Sequence, residues 1–367
     1  MKLESMNKYR SFLLGLFAAA ILINSSLFGQ TSPDNLLLKD YRPESIFKVP
    51  VTIIKKAKYP VIDIHSHPFV KSEAQLDKWV RVMDSCGIQK TVILTYTYGK
   101  KFDSLAAFFS KYPGKFILFC GFDYNGYNKP GYGPGAVKEL ERCYKEGARG
   151  VGELGDKGKG LFYCKPPAWG MHIDDPRMDP LLEKCAELRM PVSIHVGEPQ
   201  WFYEPMDSTN DGLMTAFAWR LDKQKNILTL DQELKALEHA LIKHPKTIFI
   251  ACHFANQVTD LSKLGRLFDK HKNLYADIAA RLGEVSTIPR YARSFIEKYN
   301  NRLLYGTDNE PDMQMYEMTF RILETNDEHF YNFDYGYHWC LYGLGLNNET
   351  LKKIYRDNAE KLLGLKR

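Results

Sequence analysis

The sequence predicts an α/β protein whose parallel strands close into a (β/α)8 barrel. Short apolar runs alternate with helical patterns from residue 60 to about residue 310, and eight such strands can be counted. The runs are rich in β-branched residues and lack polar alternation, as expected of strands buried on both faces. The stretch also matches the roughly 250 residues of a typical barrel of this kind.

The first strand lies in the run P-V-I-D-I-H-S-H-P at residues 60–68, with a proline at each end. Because side chains alternate along a strand, His65 and His67 share one face and lie close enough to bind one ion. The simpler alternative is that the two imidazoles only form hydrogen bonds at the strand end. Taken alone, the pair leaves both interpretations open.

The helix after this strand has clear end signals. Ser72 is an N-cap, residues 72–86 carry apolar positions at helical spacing, and Gly87 stops the helix. The same alternation then repeats along the chain. We predict strands at 90–97, 115–122, 149–154, 191–196, 247–253, 273–278 and 302–308, and helices at 102–112, 134–146, 177–189, 231–243, 257–271 and 290–299.

Two connections, 155–176 and 197–229, are too long to be plain loops. Long loops after strands 4 and 5 of a barrel lie over its active face. A doubly wound open sheet is the main rival, but no G-x-G-x-x-G follows the first strand. We therefore predict a single-domain TIM barrel with C-terminal helices over 59–367. An extension at 30–58, with an edge strand at 51–54, precedes it.

The N-terminus has the pattern of a secretory signal. Lys2, Lys8 and Arg10 precede an apolar run at 12–23, and Gly29 suits cleavage. An uncleaved anchor is the alternative, but the run is shorter than the ~20 residues that span a bilayer. We expect residues 1–29 to be a signal peptide and the mature protein to be exported, periplasmic and not stably inserted in a membrane.

Composition excludes several kinds of partner and site. The formal net charge of +6 is spread along the chain without a basic run or a nucleic-acid motif, so no nucleic-acid partner is expected. The seven cysteines are odd in number and widely spaced. They predict buried free thiols instead of a disulfide framework or a C-x-x-C zinc site.

Residues able to ligate a metal stand at the C-terminal ends of the predicted strands, where barrel enzymes place their functional groups. A lone buried histidine is more often a hydrogen-bonded core residue. Several ligand-type residues at one end of a barrel instead predict a bound divalent ion. The residues are His65, His67, Glu153, His195, His253 and Asp308.

These residues carry a resemblance to the amidohydrolase superfamily, in its amidohydrolase-related branch of metal-dependent TIM-barrel hydrolases. The resemblance implies that His65, His67, His195 and Asp308 are the main metal ligands. It also implies that His253 either binds a second metal or polarises the substrate. The motifs are D-I-H-S-H at 63–67, I-H at 194–195, C-H at 252–253, Y-G-T-D at 305–308 and I-Y-R-D-N-A-E-K-L-L-G-L at 354–365.

Glu153 has two interpretations. Its setting, G-V-G-E-L-G, resembles that of the glutamate that bridges two metals in the deoxyribonuclease-like branch. Many members of the amidohydrolase-related branch lack this carboxylate and use one metal. The alternative is that Glu153 only forms an ion pair with Arg149 or Lys157.

Such a ligand set suits hydrolysis. Three imidazoles and a carboxylate leave one or two positions open on a divalent ion, and water there has its pKa lowered towards about 7. Asp308 would take up the proton and pass it to the leaving group, and His253 or the ion would stabilise an oxyanion. We expect Zn²⁺, with Mn²⁺ as the alternative, at one or two ions per chain.

We therefore predict an exported metal-dependent hydrolase, lactonase-like or amidase-like, that cleaves an amide, ester or lactone of a small sugar-derived or aromatic substrate. One alternative is a non-oxidative decarboxylase, because the same branch contains such enzymes; a cation beside the metal would distinguish it. A non-catalytic binding barrel is the second alternative, and the full ligand set argues against it. The resemblance is compatible with a homodimer.

Two further sets of residues are candidates for substrate contact. The aromatic residues either stack on a substrate ring or pack within the loop. The basic residues either bind a substrate carboxylate or are surface charges. The first set is Trp201, Phe202, Tyr203 and Trp219; the second is Lys157, Lys159, Arg177, Arg220 and Arg281.

Overall fold

The computed structural model describes residues 32–335 and 337–365, so the predicted signal peptide lies outside the described residues. The chain divides into two units at Pro43. In the first unit, the described residues 32–43 form two 3-10 turns, Pro33–Asn35 and Leu38–Asp40. Among the described residues, no helix combines the length and apolar character needed to cross a bilayer.

The second unit, Glu44–Arg367, contains a barrel of eight parallel strands. Two further short strands, β5 and β6, form an antiparallel hairpin on β4. The barrel strands pair in the order β1-β2-β3-β4-β7-β8-β9-β10. The strands are β1 (Val61–Ser66), β2 (Ile88–Leu94), β3 (Phe116–Cys120), β4 (Gly150–Asp156), β5 (Gly160–Leu161), β6 (Ala168–Trp169), β7 (Val192–Val196), β8 (Phe249–Ala251), β9 (Leu274–Asp277) and β10 (Leu303–Leu304).

Helices connect the strands and complete the predicted alternation. Ser72 caps the first helix in a capping box with Gln75, and Gly87 ends it in the left-handed conformation, as predicted. The helices are α1 (Glu73–Cys86), α2 (Gly99–Phe109), α3 (Pro134–Lys145), α4 (Asp179–Leu188), α5 (Leu213–Ala216), α6 (Leu230–Lys243), α7 (Leu261–Lys270), α8 (Leu282–Val285), α9 (Pro289–Lys298), α10 (Met313–Glu324), α11 (Asn348–Lys352) and α12 (Asn358–Leu363).

The first and last strands of the barrel meet where the motifs at 63–67 and 305–308 face each other. Asp308 N donates a hydrogen bond of 2.9 Å to His65 O, and Thr307 Oγ1 donates one of 2.7 Å to Asp63 Oδ2. Gly306 permits this approach, because a Cβ there would lie 2.8 Å from the Cβ of His65. The contacts confirm the predicted (β/α)8 TIM barrel and bring His65 and Asp308 to one place.

Two local predictions have different outcomes. All seven cysteines are free and six are buried, as predicted. The predicted edge strand at 51–54 is wrong, because these residues have no strand conformation. Thr52 instead donates from its backbone N and its Oγ1 to the carboxylate of Asp327, at 2.8 and 2.6 Å. A side chain therefore satisfies the backbone donor that a neighbouring strand would otherwise have paired.

Candidate metal centre

The predicted site residues converge at the C-terminal ends of the barrel strands. His65 lies in β1, Glu153 in β4 and His195 in β7, while His67, His253 and Asp308 follow β1, β8 and β10. The histidines and Glu153 are buried, whereas 25% of the Asp308 side chain is exposed. Asp308 is therefore the carboxylate of this group that faces water.

Glu153 lies between two pairs of histidines. Its Oε2 is 3.8 Å from His65 Nε2 and 3.7 Å from His67 Nε2. Its Oε1 is 3.1 Å from His195 Nδ1 and 3.3 Å from His253 Nε2. Each carboxylate oxygen thus faces a different pair of imidazoles, and each pair with Glu153 is close enough to hold a metal ion. The two pairs are not separated in space, because the ring centroids of His65 and His253 lie only 4.7 Å apart.

Asp308 closes the ring on the side of the first strand. Its Oδ1 is 3.0 Å from His67 Nε2 and 3.6 Å from His65 Nε2, and its Oδ2 is 3.7 Å from His253 Nε2. The hydroxyl of Tyr96 also reaches this side, 2.8 Å from His67 Nε2. Asp308 is therefore in contact with both pairs of histidines.

The outward nitrogen of each of three histidines is held by an acceptor. This fixes the tautomer, because the held Nδ1 carries the proton and Nε2 keeps a lone pair that points inward. Second-shell acceptors of this kind are usual around metal-ligating histidines. The acceptors are Asp277 Oδ2 for His65 (2.8 Å), Leu94 O for His67 (3.0 Å) and Ala279 O for His253 (3.0 Å).

The electrostatics of the centre fit a divalent cation. His65 Nε2 is buried without a hydrogen-bond partner, although Glu153 and Asp308 surround it. Burial lowers the pKa of His65, but Asp277, Asp308 and Glu153 together raise it to about 10. Burial raises the pKa of Glu153, whereas the histidines, His65 first, bring it well below its usual range. Glu153 and Asp308 thus stabilise positive charge where the free Nε2 points, and Asp277 stabilises it from the Nδ1 side of the ring.

A model of the family described as Amidohydrolase matches residues 81–365. The chain belongs to the amidohydrolase family. The match covers Glu153, His195, His253 and Asp308 and begins after His65 and His67, so those two rest on the motif and on the geometry above. No curated protein matches the chain.

Solved structures share the fold of this chain at low sequence identity. A presumed amidohydrolase from Staphylococcus aureus is 16% identical, with a TM-score of 0.54 over 83% of this chain and 100% of its own. A 2,6-dihydroxybenzoate decarboxylase from Rhizobium is 15% identical, with a TM-score of 0.52 over 84% and 99%. A 5-carboxyvanillate decarboxylase from Novosphingobium aromaticivorans, complexed with manganese, is 16% identical, with a TM-score of 0.52 over 86% and 100%.

His195 is held by a carboxylate from the long loop after β7. Glu198 Oε1 lies 3.5 Å from His195 Nε2, on the side of the ring away from Glu153. Glu198 is itself paired with Lys157 and with Arg281 Nη2, the latter at 3.4 Å. Burial raises the pKa of Glu198, but His195, Lys157 and Arg281 bring it well below its usual range. Glu198 is therefore an ionised acceptor for His195.

Left-handed backbone conformations turn several strand ends towards the centre. Tyr96, His253 and Asp308 have φ angles of 54°, 61° and 53°. Residues other than glycine adopt this region at a cost of about 1–3 kcal/mol, and they cluster at functional sites. The strained residues Tyr96, His253 and Asp308 are thus among those whose side chains form the centre.

Three contributors to the centre were missed by the sequence analysis. Asp277 ends β9 and Tyr96 follows β2, so the rule that selected the other strand-end residues applies to both. Glu198 lies three residues beyond His195 in a loop without periodicity, and its role depends on Lys157 and Arg281 folding back onto it. Only the first two had a signal in the sequence.

The predicted substrate-contacting aromatics divide between packing and the site. Phe202 is buried in a small cluster within its loop, and Trp201 packs against Trp339. Tyr203 accepts a hydrogen bond of 3.2 Å from Glu198 N, and Lys157 lies 5.3 Å from the ring of Trp219. This set therefore serves mainly to fold the loop and to hold Glu198.

The predicted cations also divide into two groups. Lys157 and Arg281 are partly buried against Glu198, with 21% and 12% of their side chains exposed. Arg177 and Arg220 instead pair with neighbouring aspartates in their own loops. The aromatic surfaces next to the histidines come from other residues, which the sequence analysis did not select: Phe69, Tyr96 and Tyr163.

Proposed function

We propose that the chain is a metal-dependent hydrolase that cleaves an amide, ester or lactone bond of a small substrate. The observation that carries the proposal is the ring of inward-facing imidazole nitrogens around Glu153, with the partly exposed Asp308 at its edge. When bound, a divalent ion supplies Lewis acidity, which polarises a carbonyl oxygen and lowers the pKa of water. The remaining chemistry belongs to the side chains of the protein.

Asp308 is placed to move the proton. Its carboxylate reaches water, and it would accept a proton from the attacking water and return it to the leaving group. Tyr96 is the neutral donor of the site, since burial raises the pKa of its hydroxyl. We assign it the role of donating to the substrate oxygen on which negative charge develops. His253 donates from Nδ1 to Ala279 O, which favours a ligand role over the oxyanion role.

We further propose two ions per chain, bridged by Glu153. The split of its two oxygens between His65 with His67 and His195 with His253 supports this number. We propose Zn²⁺, which imidazole and carboxylate ligands suit, with Mn²⁺ as the alternative. Elemental analysis of wild type and of Glu153→Ala tests the number: the substitution should lower the metal content by one ion per chain. Metal content unchanged by the substitution would refute the bridge.

A non-oxidative decarboxylase acting on an aromatic acid is the second candidate. The aromatic rings of Phe69, Tyr96 and Tyr163 beside the histidines favour an aromatic substrate. Two of the structures that share the fold are named as decarboxylases of aromatic acids. Against this candidate, Lys157 and Arg281, which would hold a departing carboxylate, are both paired with Glu198.

A substrate panel separates the two candidates. The metal-loaded protein is incubated with simple esters and lactones, with acid release measured at constant pH, and with simple amides, with ammonia release measured. It is also incubated with hydroxybenzoates, with CO₂ release measured. The hydrolase proposal expects acid or ammonia release that Asp308→Asn abolishes. Release of CO₂ from an aromatic acid without hydrolysis of any ester, lactone or amide would favour the decarboxylase. Inertness towards both sets would favour a binding protein.

We also propose export to the periplasm through the signal peptide at residues 1–29. The basic start and the short apolar run support this. N-terminal sequencing of the protein recovered from a bacterial periplasm should begin near Gln30. Recovery of only the uncleaved chain would contradict the proposal.

A further inference from the structure

A second group of potential ligands lies beyond the end of β4, away from the ring around Glu153. We call Asp156, His172 and Glu233 the outer cluster. Asp156 is the last residue of β4, His172 follows the β5–β6 hairpin, and Glu233 lies in the first turn of α6. Three separate parts of the chain therefore supply one side chain each.

The donor atoms of the outer cluster face one another at short range. His172 Nδ1 lies 2.7 Å from Asp156 Oδ2 and 3.6 Å from Glu233 Oε1, and all three atoms lie within 4.8 Å of one another. An ion about 2.1 Å from each donor needs donors within about 4 Å of each other. Both contacts of His172 Nδ1 meet this limit, and the two carboxylate oxygens lie within 4.8 Å of each other.

One atom of the outer cluster lacks a partner. Glu233 is 2% exposed, and its Oε1 is buried without a hydrogen bond although it points at His172 Nδ1. An unsatisfied buried carboxyl oxygen is costly. Burial and the nearby Asp156 raise the pKa of Glu233 to about 9. Two carboxyl groups thus share a buried space with one imidazole, and Lys157, the nearest basic residue along the chain, pairs with Glu198 instead.

We propose that the outer cluster binds a divalent transition-metal cation of the Zn²⁺ or Mn²⁺ class. One imidazole and two carboxylates suit these ions, whereas Ca²⁺ prefers oxygen ligands alone. The ion would neutralise both carboxylates and give Glu233 Oε1 a partner. It would join β4, the hairpin and α6, which already meet where Leu228 N donates to Gly158 O at 2.9 Å. We assign it a structural role in holding the two long connections over the active face.

Glu233→Gln is the test variant, because the amide has the shape of the protonated carboxyl group but binds a cation poorly. Wild type and variant are equilibrated with Zn²⁺, freed of excess and analysed for metal per chain. The variant should hold about one ion fewer than wild type. The control is His271→Gln, which removes a histidine paired with Glu238 elsewhere and should leave the metal content unchanged. Equal metal content in Glu233→Gln and wild type would show a proton-sharing carboxyl pair and overturn the proposal.

Two further experiments distinguish loss of an ion at the outer cluster from loss of an ion at the main centre and from misfolding. In a Glu153→Ala background, adding Glu233→Gln should still remove one ion, whatever the main centre retains. Circular dichroism and thermal unfolding in chelator check the fold, and there the variant should be no less stable than wild type. If Glu233→Gln does not fold, His172→Asn is substituted, and retention of the full metal content in that variant would equally refute the site.

Discussion

The two sides of the metal centre are built from different parts of the fold. On one side, His65 in β1 is held by Asp277 at the end of β9, so both partners are fixed by the sheet. On the other side, His195 is held by Glu198, which lies in the loop after β7 and depends on Lys157 and Arg281. The first side is positioned by the barrel alone, whereas the second requires three connections to be folded.

The difference shows that strand ends and loops contribute to the metal centre in different ways. Asp277 also accepts hydrogen bonds from the backbone N of His253 and of Ala279, at 2.8 and 3.1 Å, so one strand-end carboxylate organises two ligands. Glu198 contacts one histidine, His195, and is itself positioned by ion pairs with Lys157 and Arg281. We call the side of His65 and Asp277 the strand side and the side of His195 and Glu198 the loop side. We infer that the strand side provides fixed metal geometry and that the loop side adjusts access and charge for a given substrate.

The largest effect is expected from Asp308→Asn, on the strand side. The amide cannot accept the proton of the attacking water, so turnover should fall by roughly 10²- to 10⁴-fold. The assay is the rate on whichever ester, amide or lactone the wild type hydrolyses, with circular dichroism to show an unchanged fold. Near wild-type activity would remove Asp308 from the proton transfer and leave the strand side without its proposed catalytic group.

Tyr96→Phe should have the next largest effect. Phenylalanine keeps the ring that stacks on His67 and removes only the hydroxyl. Loss of one donor to a developing oxyanion typically lowers the rate about 10²- to 10³-fold. We expect kcat to fall while metal content is retained. Tyr98→Phe, which removes a hydroxyl that donates to Lys165 O farther along the same loop, is the matched control and should retain its rate. A full rate in Tyr96→Phe would leave the tyrosine a packing role only.

Asp277→Asn tests the strand side through metal affinity. The asparagine Oδ1 can keep the bonds from His253 N and Ala279 N, which places its amide nitrogen against His65 Nδ1. His65 would then carry its proton on Nε2, where the ion should bind. Affinity should fall about 10- to 100-fold in competition with a chelator. Asp269→Asn, an exposed position, is the control; unchanged affinity in Asp277→Asn would mean that Asp277 does not set the tautomer.

The strand side is also the side that sequence reasoning largely predicted. Alternation along a strand and the convergence of parallel strand ends are geometric rules, and they predict that His65, His67, Glu153 and Asp308 lie together. They predict the same of His195 and His253. The rules also apply to Asp277, which ends a predicted strand. The motifs that carry the family resemblance do not include Asp277, and the structure shows it holding His65.

The loop side could not be predicted in the same way. From the sequence, Lys157 and Arg281 either bind a substrate carboxylate or are surface charges. Only the folded loops show that both pair with Glu198. The strand predicted at residues 51–54 was wrong for a related reason. Their β-branched side chains suit a strand, but Thr52 forms hydrogen bonds with the carboxylate of Asp327 instead. Periodicity and propensity describe regular elements, whereas side-chain pairing between connections depends on the tertiary structure.

Glu198→Gln measures how much the loop side contributes and should have the smallest effect. The substitution weakens the acceptor facing His195 Nε2, but glutamine keeps a side-chain carbonyl oxygen that can still accept a hydrogen bond there. We therefore expect a loss of metal affinity near the low end of second-shell effects, about tenfold.

The control for Glu198→Gln is Glu204→Gln, in the same loop, which contacts Gln200 and should leave metal affinity unchanged. If Glu198→Gln weakens metal binding as strongly as Asp277→Asn, the loop side is as firmly preorganised as the strand side and the distinction between them fails. If the loss stays near tenfold while the rates on different substrates change unequally, the loop side sets specificity. Asp277 and Glu198 would then differ in function because the sheet positions Asp277, whereas cations from two other loops position Glu198.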